Sequence, residues 1–190
     1  MADRYAGFAE FVDARGPALM RTASLLTRDR GHAEDALQEA LTKAAMKWRS
    51  INGDGNPEPY VRQVLYTVVI DRWRWRGRRA PEVAGEPPDA AVPADSFAEA
   101  DRRLVLKDAL AKLTDRQRQV LVLRFYEDLT EVQTAHVMHC SVSTVKSQTR
   151  HALKRLRELA PELAETFGVE TEASSGTAPG TEPGTEEVHA

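Results

Sequence analysis

Aromatic and cationic side chains alternate in one short segment, where Trp73 and Trp75 lie among the arginines of residues 72–79. Aromatic rings stack on unpaired bases, at about 1–3 kcal/mol per base, while guanidinium groups hold the phosphate backbone. On a helix this alternation distributes rings and cations around the helix end rather than along one stripe. The segment therefore predicts a site for single-stranded nucleic acid, and a core position is the alternative for Trp73.

A second polar and basic group follows a turn signal at residues 139–141. Residues 131–138 and the segment from Val142 have helical patterns, so with this short turn they form a helix-turn-helix pattern. In such a motif the second helix can enter the major groove of DNA while the first braces it. Its first turns offer hydroxyls, an amide and cations that reach base edges and phosphates. These side chains are Ser143, Thr144, Lys146, Ser147, Gln148 and Arg150. An ordinary helical corner is the alternative.

The formal charge of the 190-residue chain is only −3, but its charges are unevenly distributed. Residues 81–96 and 169–190 contain acidic residues and neither lysine nor arginine. Basic residues collect at 72–79 and at 146–157. Two basic patches joined by an acidic segment predict two contacts with a polyanion, although a solvated helix face would explain either patch alone.

Composition divides the chain into two blocks. Prolines, small residues and acids in the segment 80–96 cannot bury apolar surface, so this segment is a predicted flexible linker. It separates an N-terminal block, 1–79, from a C-terminal block, 97–168. The low-complexity acidic stretch 169–190 is predicted to be disordered.

Both blocks have helical periodicity, so we expect an all-α protein with two small helical domains. In the N-terminal block, Gly16 and Pro17 predict a break between two helices, and Asp29 is a candidate N-cap for the next. A further helix is predicted from about Pro59, because the β-branched run VLYTVVI keeps helical spacing and continues into the arginine segment. In the C-terminal block, hydroxyl N-caps predict helix starts at about 115, 131 and 142. These N-caps are Thr114, Thr130 and Ser141, and the first two belong to capping boxes with Gln117 and Gln133.

Length and composition exclude several classes of protein. A chain of 190 residues is shorter than the roughly 250 residues typical of a (β/α)8 barrel. The single cysteine, Cys140, cannot form an intramolecular disulfide. No apolar run approaches the roughly 20 residues of a membrane span, and the first residues lack a signal-peptide pattern. We therefore expect a soluble cytoplasmic protein, and nothing in the sequence requires a cofactor.

Four segments carry a resemblance to a known family. They are SVSTVKS at 141–147, LTDRQRQVLVLRFYEDLT at 113–130, AEDALQEALTKAAMKW at 33–48 and YVRQVLYTVVIDRWRWRGRR at 60–79. In order and spacing they resemble the extracytoplasmic-function (ECF) sigma factors of the sigma-70 superfamily. The first two segments resemble region 4, the third resembles region 2.2, and the fourth resembles regions 2.3 and 2.4. The arginine-rich end of region 2 and the C-terminal tail look most like the actinobacterial SigE-type subgroup.

The resemblance implies a factor without catalytic activity of its own that binds core RNA polymerase and directs it to promoter DNA. The region 2.2 helix of this family docks on the clamp helices of the polymerase β′ subunit, which makes Asp35, Gln38 and Glu39 the implied contact surface. Their i, i+3, i+4 spacing independently places them on one polar helix face, although on spacing alone an ordinary solvated face is the better explanation. Region 4 implies a further contact with the β flap, and the family suggests control by a sequestering anti-sigma factor.

The resemblance also assigns DNA contacts. The loop 50–58 matches the family loop that captures an unstacked base of the −10 element, with Asn52, Asp54 and Asn56 as candidate partners. A plain surface loop is the alternative. The other −10 candidates belong to the aromatic and arginine segment: Arg72, Trp73, Arg74, Trp75 and Arg76. Candidates for the −35 element lie at the start of the second helix of the helix-turn-helix: Ser143, Thr144, Lys146, Ser147 and Arg150. Arg116, Arg118 and Arg124 are candidates for phosphate or β-flap contacts.

His139 occupies a turn position where many relatives have glycine, so a left-handed backbone there would be strained. His136, His139 and Cys140 are possible zinc donors, but they lack a fourth ligand, and an ordinary turn is favoured. A stand-alone helix-turn-helix regulator of the LuxR-like kind would explain residues 97–160 only, and it would bind duplex DNA without polymerase.

Overall fold

The structure, a computed structural model, describes residues 4–53, 55–76 and 105–161, without the side chain of Arg76. Within these ranges the chain forms helices, turns and loops and no strand, as expected for an all-α protein. The predicted linker 80–96 and the predicted disordered stretch 169–190 lie outside the described residues.

Three long helices form the N-terminal domain: α1 (Phe8–Thr27), α2 (Arg30–Ile51) and α3 (Glu58–Arg76). They pack against one another in all three pairs. The inner face of α2 is a stripe of fully buried alanines, which lets its neighbours approach closely. These alanines are Ala33, Ala36, Ala40 and Ala44. The β-branched run is helical as predicted and buries Leu65, Val68, Val69 and Ile70.

The predicted break at Gly16 and Pro17 is wrong, because α1 is continuous and contains Pro17. Proline removes the N–H group that would bond the Asp13 carbonyl, but Pro17 is exposed, so solvent can hydrate that carbonyl. The C-terminal half of α1 buries Leu19 and Leu26 completely. This packing outweighs the local preference for a break.

Polar and aromatic contacts fix the ends of the N-terminal helices. Asp29 is the N-cap of α2 as predicted, and its carboxylate accepts a hydrogen bond of 2.7 Å from the His32 backbone N–H. Near the other end of α2, the buried Trp48 ring lies 5.0 Å from the Phe8 ring centroid, and its Nε1–H donates to the Ala6 carbonyl at 2.8 Å. The Asp29 cap stabilises the start of α2, and the Trp48 contacts hold the end of α2 against the start of α1.

The C-terminal domain consists of shorter helices. Residues 105–111 are helical (α4) and precede α5 (Asp115–Leu121), a π-helical turn (Val122–Tyr126), α6 (Glu131–Val137) and α7 (Val142–Leu159). Its core is apolar and combines side chains of every one of these elements. Buried members include Leu110, Val120, Leu123, Val137, Val145 and Leu156.

The three predicted helix starts of the C-terminal domain are confirmed. The Gln117 backbone N–H donates to the Thr114 hydroxyl at 3.3 Å, and the reciprocal bond to the Gln117 side chain measures 3.1 Å. Thr130 and Gln133 form the same capping box. Ser141 caps α7 by accepting the Thr144 N–H at 3.1 Å. These local bonds satisfy backbone donors that the helix starts leave free.

The π-helical turn changes the direction of the chain after α5. The Glu127 N–H donates to the Val122 carbonyl at 2.9 Å, five residues back, and Asp128 follows with a left-handed φ of 52°. The wider turn places the Glu127 side chain against the N-terminal domain, where it is bonded to α1 and α3. Helices α1 and α3 thus contact α5, the π-helical turn and α6 of the C-terminal domain.

Candidate nucleic-acid interfaces

Helices α6 and α7 form the predicted helix-turn-helix. Thr134, Ala135 and Val137 of α6 are buried, as is Val145 in the second turn of α7. Since α6 and α7 pack directly on each other, α6 braces the start of α7. The polar face at this start of α7 remains at the surface, as a groove-reading helix requires.

The hydroxyls at the start of α7 form a small hydrogen-bonded group. Ser141 Oγ lies 2.8 Å from Ser143 Oγ and 2.8 Å from Thr144 Oγ1, and the Ser147 hydroxyl donates to the Thr144 carbonyl at 3.0 Å. Ser143 is exposed and Thr144 and Ser147 are half-buried. Among Ser143, Thr144 and Ser147, the exposed Ser143 is therefore the hydroxyl most open to a base edge.

The cations of α7 project from the same face. Lys146 is exposed, and its Nζ lies 3.6 Å from a carboxylate oxygen of Glu131 on α6. Arg150, one turn further along, is also exposed. A surface ion pair of this length contributes little to stability, so phosphate can displace Glu131 from Lys146 at small cost.

His139 has the left-handed backbone for which glycine is favoured. Its φ is 50°, which lies in the left-handed region that favours glycine. The Nε2 atom of His139 lies 3.4 Å from a carboxylate oxygen of Asp71, at the start of the arginine segment of α3. The turn of the helix-turn-helix therefore touches the other candidate DNA site.

The end of α3 presents the predicted aromatic and cationic group. Trp75 is 52% exposed, whereas Trp73 is half-buried, so the two rings have different environments. A surface depression of about 410 Å³ is lined by Asp71, Arg72, Arg74 and Trp75. A flat exposed ring beside two guanidinium groups can stack on a base and hold its phosphate.

Arg72 is shared between two candidate surfaces. Its Nε–H and Nη2–H groups donate to Glu39 Oε2 at 3.0 and 2.7 Å, and its Nη1 lies 3.6 Å from Asp35 Oδ2. The structure thus brings one −10 candidate together with two of the three polymerase candidates, while Gln38 is exposed nearby on α2. A hydrogen bond from Lys43 lowers the pKa of Glu39 and, together with the bond from Arg72, outweighs the opposing effect of burial.

The candidate base-capture loop is shorter than predicted, because α2 extends to Ile51 and α3 begins at Glu58. Asn52 is half-buried and caps α2, and its backbone N–H donates to the Trp48 carbonyl at 2.9 Å. Asn56 is exposed. Asp54 and the Arg76 side chain, both −10 candidates, lie outside the described part of the structure.

The three arginines proposed for phosphate or β-flap contacts have different environments. Arg118 is buried, and its Nη2 donates to the Leu26 carbonyl at 3.2 Å and to Asp115 Oδ1 at 2.6 Å. Burial lowers its pKa to about 10 although Asp115 opposes the shift. Arg124 donates to the Leu129 carbonyl. Arg116 is half-buried. Arg118 therefore contacts the N-terminal domain in this structure.

Two further features concern metals and membranes. Across residues 4–53, 55–76 and 105–161, no three His, Cys, Asp or Glu side chains are grouped so that they could hold a metal ion. The helices in the same ranges include none with the length and apolarity that a membrane crossing requires.

Comparison with known proteins matches both halves of the chain. Residues 11–79 match the family Sigma-70 region 2, and residues 109–158 match Sigma-70, region 4. The chain belongs to the sigma-70 family. This sigma factor is 39% identical to the RNA polymerase sigma-E factor of Streptomyces avermitilis over 152 residues, which cover 80% of this chain and 83% of the relative.

Other relatives place this sigma factor in the ECF group. It is 30% identical over 161 residues to the ECF RNA polymerase sigma factor SigK of Mycobacterium tuberculosis, covering 80% of this chain and 84% of that protein. Its fold resembles that of the sigma factor RpoE, solved in complex with the anti-sigma factor NepR from Bartonella quintana, with a TM-score of 0.60 and 25% identity. That similarity covers 81% of this chain and 96% of the other.

These matches confirm the resemblance to ECF sigma factors, the all-α fold class and a function in transcription initiation. A stand-alone regulator would account for region 4 alone, whereas the match to region 2 spans the N-terminal domain of this sigma factor. The comparisons therefore favour a sigma factor over the rival regulator.

A polar cluster between the two domains has no counterpart among the sequence predictions. Glu127 binds Thr22, Arg62 and Tyr66, which are 105, 65 and 61 residues away in the sequence. No periodicity or capping pattern marks such contacts, because they join elements that are distant along the chain. Only the folded arrangement of α1, α3 and the π-helical turn reveals them.

Proposed function

We propose that this sigma factor directs core RNA polymerase to promoters through two DNA-reading domains. The N-terminal domain, 1–79, would bind core polymerase and the −10 element, and the C-terminal domain, 97–168, would bind the −35 element. The segment 80–96 would link them, and 169–190 would be a tail. The linker allows the domains to reach elements roughly 17 base pairs apart, which is about 58 Å of B-form DNA.

The core-binding surface is proposed on α2. Asp35 and Gln38 are exposed, and Glu39 is partly exposed on the same face. Carboxylates at this spacing form an acidic strip that suits a basic partner surface. We assign this strip to the clamp helices of the polymerase β′ subunit and region 4 to the β flap.

The −10 site is proposed at the end of α3 and the preceding loop. The exposed Trp75 ring, beside Arg74, is placed to stack on a base of the melted strand while the guanidinium binds phosphate. Trp73, Arg72 and Arg76 complete this group. Asn52, Asp54 and Asn56 would hydrogen-bond an unstacked base.

The −35 site is proposed at the start of α7, and this helix carries the proposal. Its N-cap is formed, α6 braces it, and its polar side chains face outward. Exposed Ser143, Lys146 and Arg150 can reach base edges and phosphates, with Thr144 and Ser147 behind them.

Further aspects of the proposal concern partners, location and catalysis. The protein would act in the cytoplasm as a binding factor, while the polymerase carries out the chemistry. The related RpoE was solved with the anti-sigma factor NepR, which supports control of this chain by a sequestering partner of the same kind. No cofactor is required for any of these steps.

Run-off transcription tests the proposal. Purified protein is added to sigma-free core polymerase on a pool of genomic promoter fragments, in parallel with an Asp35→Arg/Gln38→Ala variant. We expect transcripts that depend on the protein and are lost in the variant. Asp13→Arg is the control, because Asp13 is exposed on α1 and undergoes the same change of charge.

Two outcomes would contradict the proposal. If the variant transcribes as well as the Asp13→Arg control, the assignment of the core-binding surface on α2 is wrong. If the protein alone shifts duplex fragments and core polymerase adds nothing, the stand-alone regulator is the better explanation.

A further inference from the structure

A carboxylate of the C-terminal domain is buried in the N-terminal domain. The Glu127 side chain is only 2% exposed. Its Oε1 accepts a hydrogen bond of 2.6 Å from the Thr22 hydroxyl, and its Oε2 lies 2.7 Å from Arg62 Nη1 and accepts a bond from the Tyr66 hydroxyl. We call Thr22, Arg62 and Tyr66 the carboxylate seat. Both oxygens of Glu127 are thus bonded by the seat, as a buried charge requires.

Arg62, the cation of the carboxylate seat, is held in place independently of Glu127. Glu58 Oε1 accepts from Arg62 Nε at 2.9 Å and lies 2.8 Å from Arg62 Nη2, and Arg15 lies 3.0 Å from the other Glu58 oxygen. Burial lowers the pKa of Arg62, but Glu58, Glu127 and Tyr66 together outweigh burial and raise it. Because Glu58 orients the guanidinium, the N-terminal domain presents a ready binding site for a carboxylate.

Two further contacts join the same pair of domains. The buried Arg118 donates to the Leu26 carbonyl at the end of α1, where the helix dipole favours a cation. The His139 Nε2 lies 3.4 Å from Asp71, and both of these side chains are about half exposed. The Glu127 side chain is bonded to three residues of the N-terminal domain, whereas Arg118 donates to one carbonyl there, so the loss of Glu127 should weaken the domain contact most.

We call the arrangement in which these contacts join the two domains closed. If the proposed −10 and −35 sites are correct, the closed arrangement conflicts with promoter binding. His139 in the turn before α7 and Asp71 in α3 are 3.4 Å apart. The two promoter elements would lie about 58 Å apart along B-form DNA, at 3.4 Å per base pair. The domains must separate before both elements can be read.

We propose that Thr22, Arg62 and Tyr66 form a carboxylate-binding site that takes Glu127 of the same chain and holds the sigma factor closed and unable to bind a promoter. Opening moves Glu127 from the seat into solvent. The interaction is intramolecular, so it acts at any protein concentration.

Distances between spin labels in the full chain test this proposal without polymerase or DNA. Cys140→Ser removes the native thiol, and Glu10→Cys and Lys154→Cys place labels at exposed positions on α1 and α7. Glu127→Gln keeps the size of the side chain but removes its charge. We expect a short, narrow distance distribution for the parent and, for Glu127→Gln, an increase of about tenfold or more in the ratio of open to closed molecules.

Two matched variants complete this experiment. Glu158→Gln removes an exposed carboxylate that pairs with Arg155 on α7, away from the domain contact, and should leave the distances unchanged. Tyr66→Phe removes one donor from the carboxylate seat and leaves Glu127 intact, so it should open the chain less than Glu127→Gln does. Long, broad distances in the parent would overturn the proposal, as would equal distances in Glu127→Gln and Glu158→Gln.

Transcription at limiting core polymerase tests the inhibitory effect. Glu127→Gln should reach half-maximal transcript at a several-fold lower sigma concentration than the parent or Glu158→Gln. If Glu127→Gln adopts the open form but needs a higher sigma concentration than the parent for half-maximal transcript, the Glu127 contact does not inhibit transcription. Failure of the proposed DNA sites is a separate result: footprints of holoenzyme would be unaffected by Arg74→Ala and Lys146→Ala, while the label distances would still report the closed state.

Discussion

Arg72 binds Glu39 through two N–H groups, at 3.0 and 2.7 Å, and thereby connects the end of α3 to the middle of α2. Both side chains are about one third exposed, at 34% and 36%. A protein that engages the Glu39 carboxylate must therefore compete with Arg72, and the freed guanidinium becomes available for phosphate. Binding at the proposed core-polymerase surface and binding at the proposed −10 site are physically coupled through this pair.

The first prediction concerns the pH dependence of stability at Glu39. Its pKa is lower in the folded protein, so its contribution to stability is present above its ordinary value of about 4.5 and is lost as the pH falls below that value. The stability advantage of wild type over Glu39→Gln should shrink from about pH 6 to about pH 3.5, by less than about 1 kcal/mol because the pair is partly exposed. Urea unfolding at both pH values measures it. Parallel pH profiles for the two proteins would contradict the prediction.

His139→Gly should stabilise the protein, by about 0.5–1 kcal/mol, because glycine adopts the left-handed φ of 50° without strain. The exposed contact with Asp71 that this substitution removes contributes less. His136→Gly is the matched control, since His136 lies inside α6 and the same substitution there should destabilise by a similar amount. Thermal unfolding of both variants distinguishes the two signs, and a loss of stability in both would show that His139 is not strained.

Thr130→Ala should destabilise the C-terminal domain by about 1 kcal/mol, since it removes one half of a formed capping box. Thr42→Ala provides the comparison, because Thr42 is exposed in the interior of α2, where alanine is the better helix former. The midpoints of urea unfolding should fall for the first variant and stay the same or rise for the second. Equal midpoints would mean that this N-cap contributes nothing.

Trp75→Ala should weaken binding of holoenzyme to a single-stranded −10 oligonucleotide by about 5- to 150-fold, the loss of one stacked base. Trp75→Phe keeps an aromatic face and should retain most of the binding. Trp73→Ala should in addition lower stability, because that ring is half-buried. Fluorescence anisotropy gives the affinity, and undiminished binding by Trp75→Ala would remove this ring from the −10 site.

Lys146→Ala should weaken binding of holoenzyme to duplex −35 DNA about equally for all sequences. The slope of log K against log salt concentration should fall by about one unit, the signature of one lost phosphate contact. Lys112→Ala removes the same charge from an exposed position outside α7 and should leave the slope unchanged. If the two variants have the same slope, Lys146 does not bind phosphate.

Local signals explain which parts of this structure could be predicted from the sequence. Thr114, Thr130 and Ser141 cap helices by bonding to residues three positions further along. A short stretch of sequence is therefore enough to predict each cap. The helix break predicted at Pro17 is absent because the burial of Leu19 and Leu26 against other helices outweighs the local preference for a break.

The contacts between the domains could not be predicted for the same physical reason. Glu127 lies in a segment whose composition resembles that of any turn, and its partners come from α1 and α3. Arg118 looks like a surface cation in the sequence but is buried against the Leu26 carbonyl. Pairing of this kind depends on how two domains meet.

The buried Glu127 carboxylate has a consequence for dose response. When only a fraction of molecules is open, the apparent dissociation constant for a partner that needs the open form equals the intrinsic constant divided by that fraction. Each tenfold change in the closed excess, which corresponds to about 1.4 kcal/mol, shifts the half-maximal concentration tenfold. One side chain directly after a π-helical turn therefore sets the concentration at which this protein begins to bind polymerase.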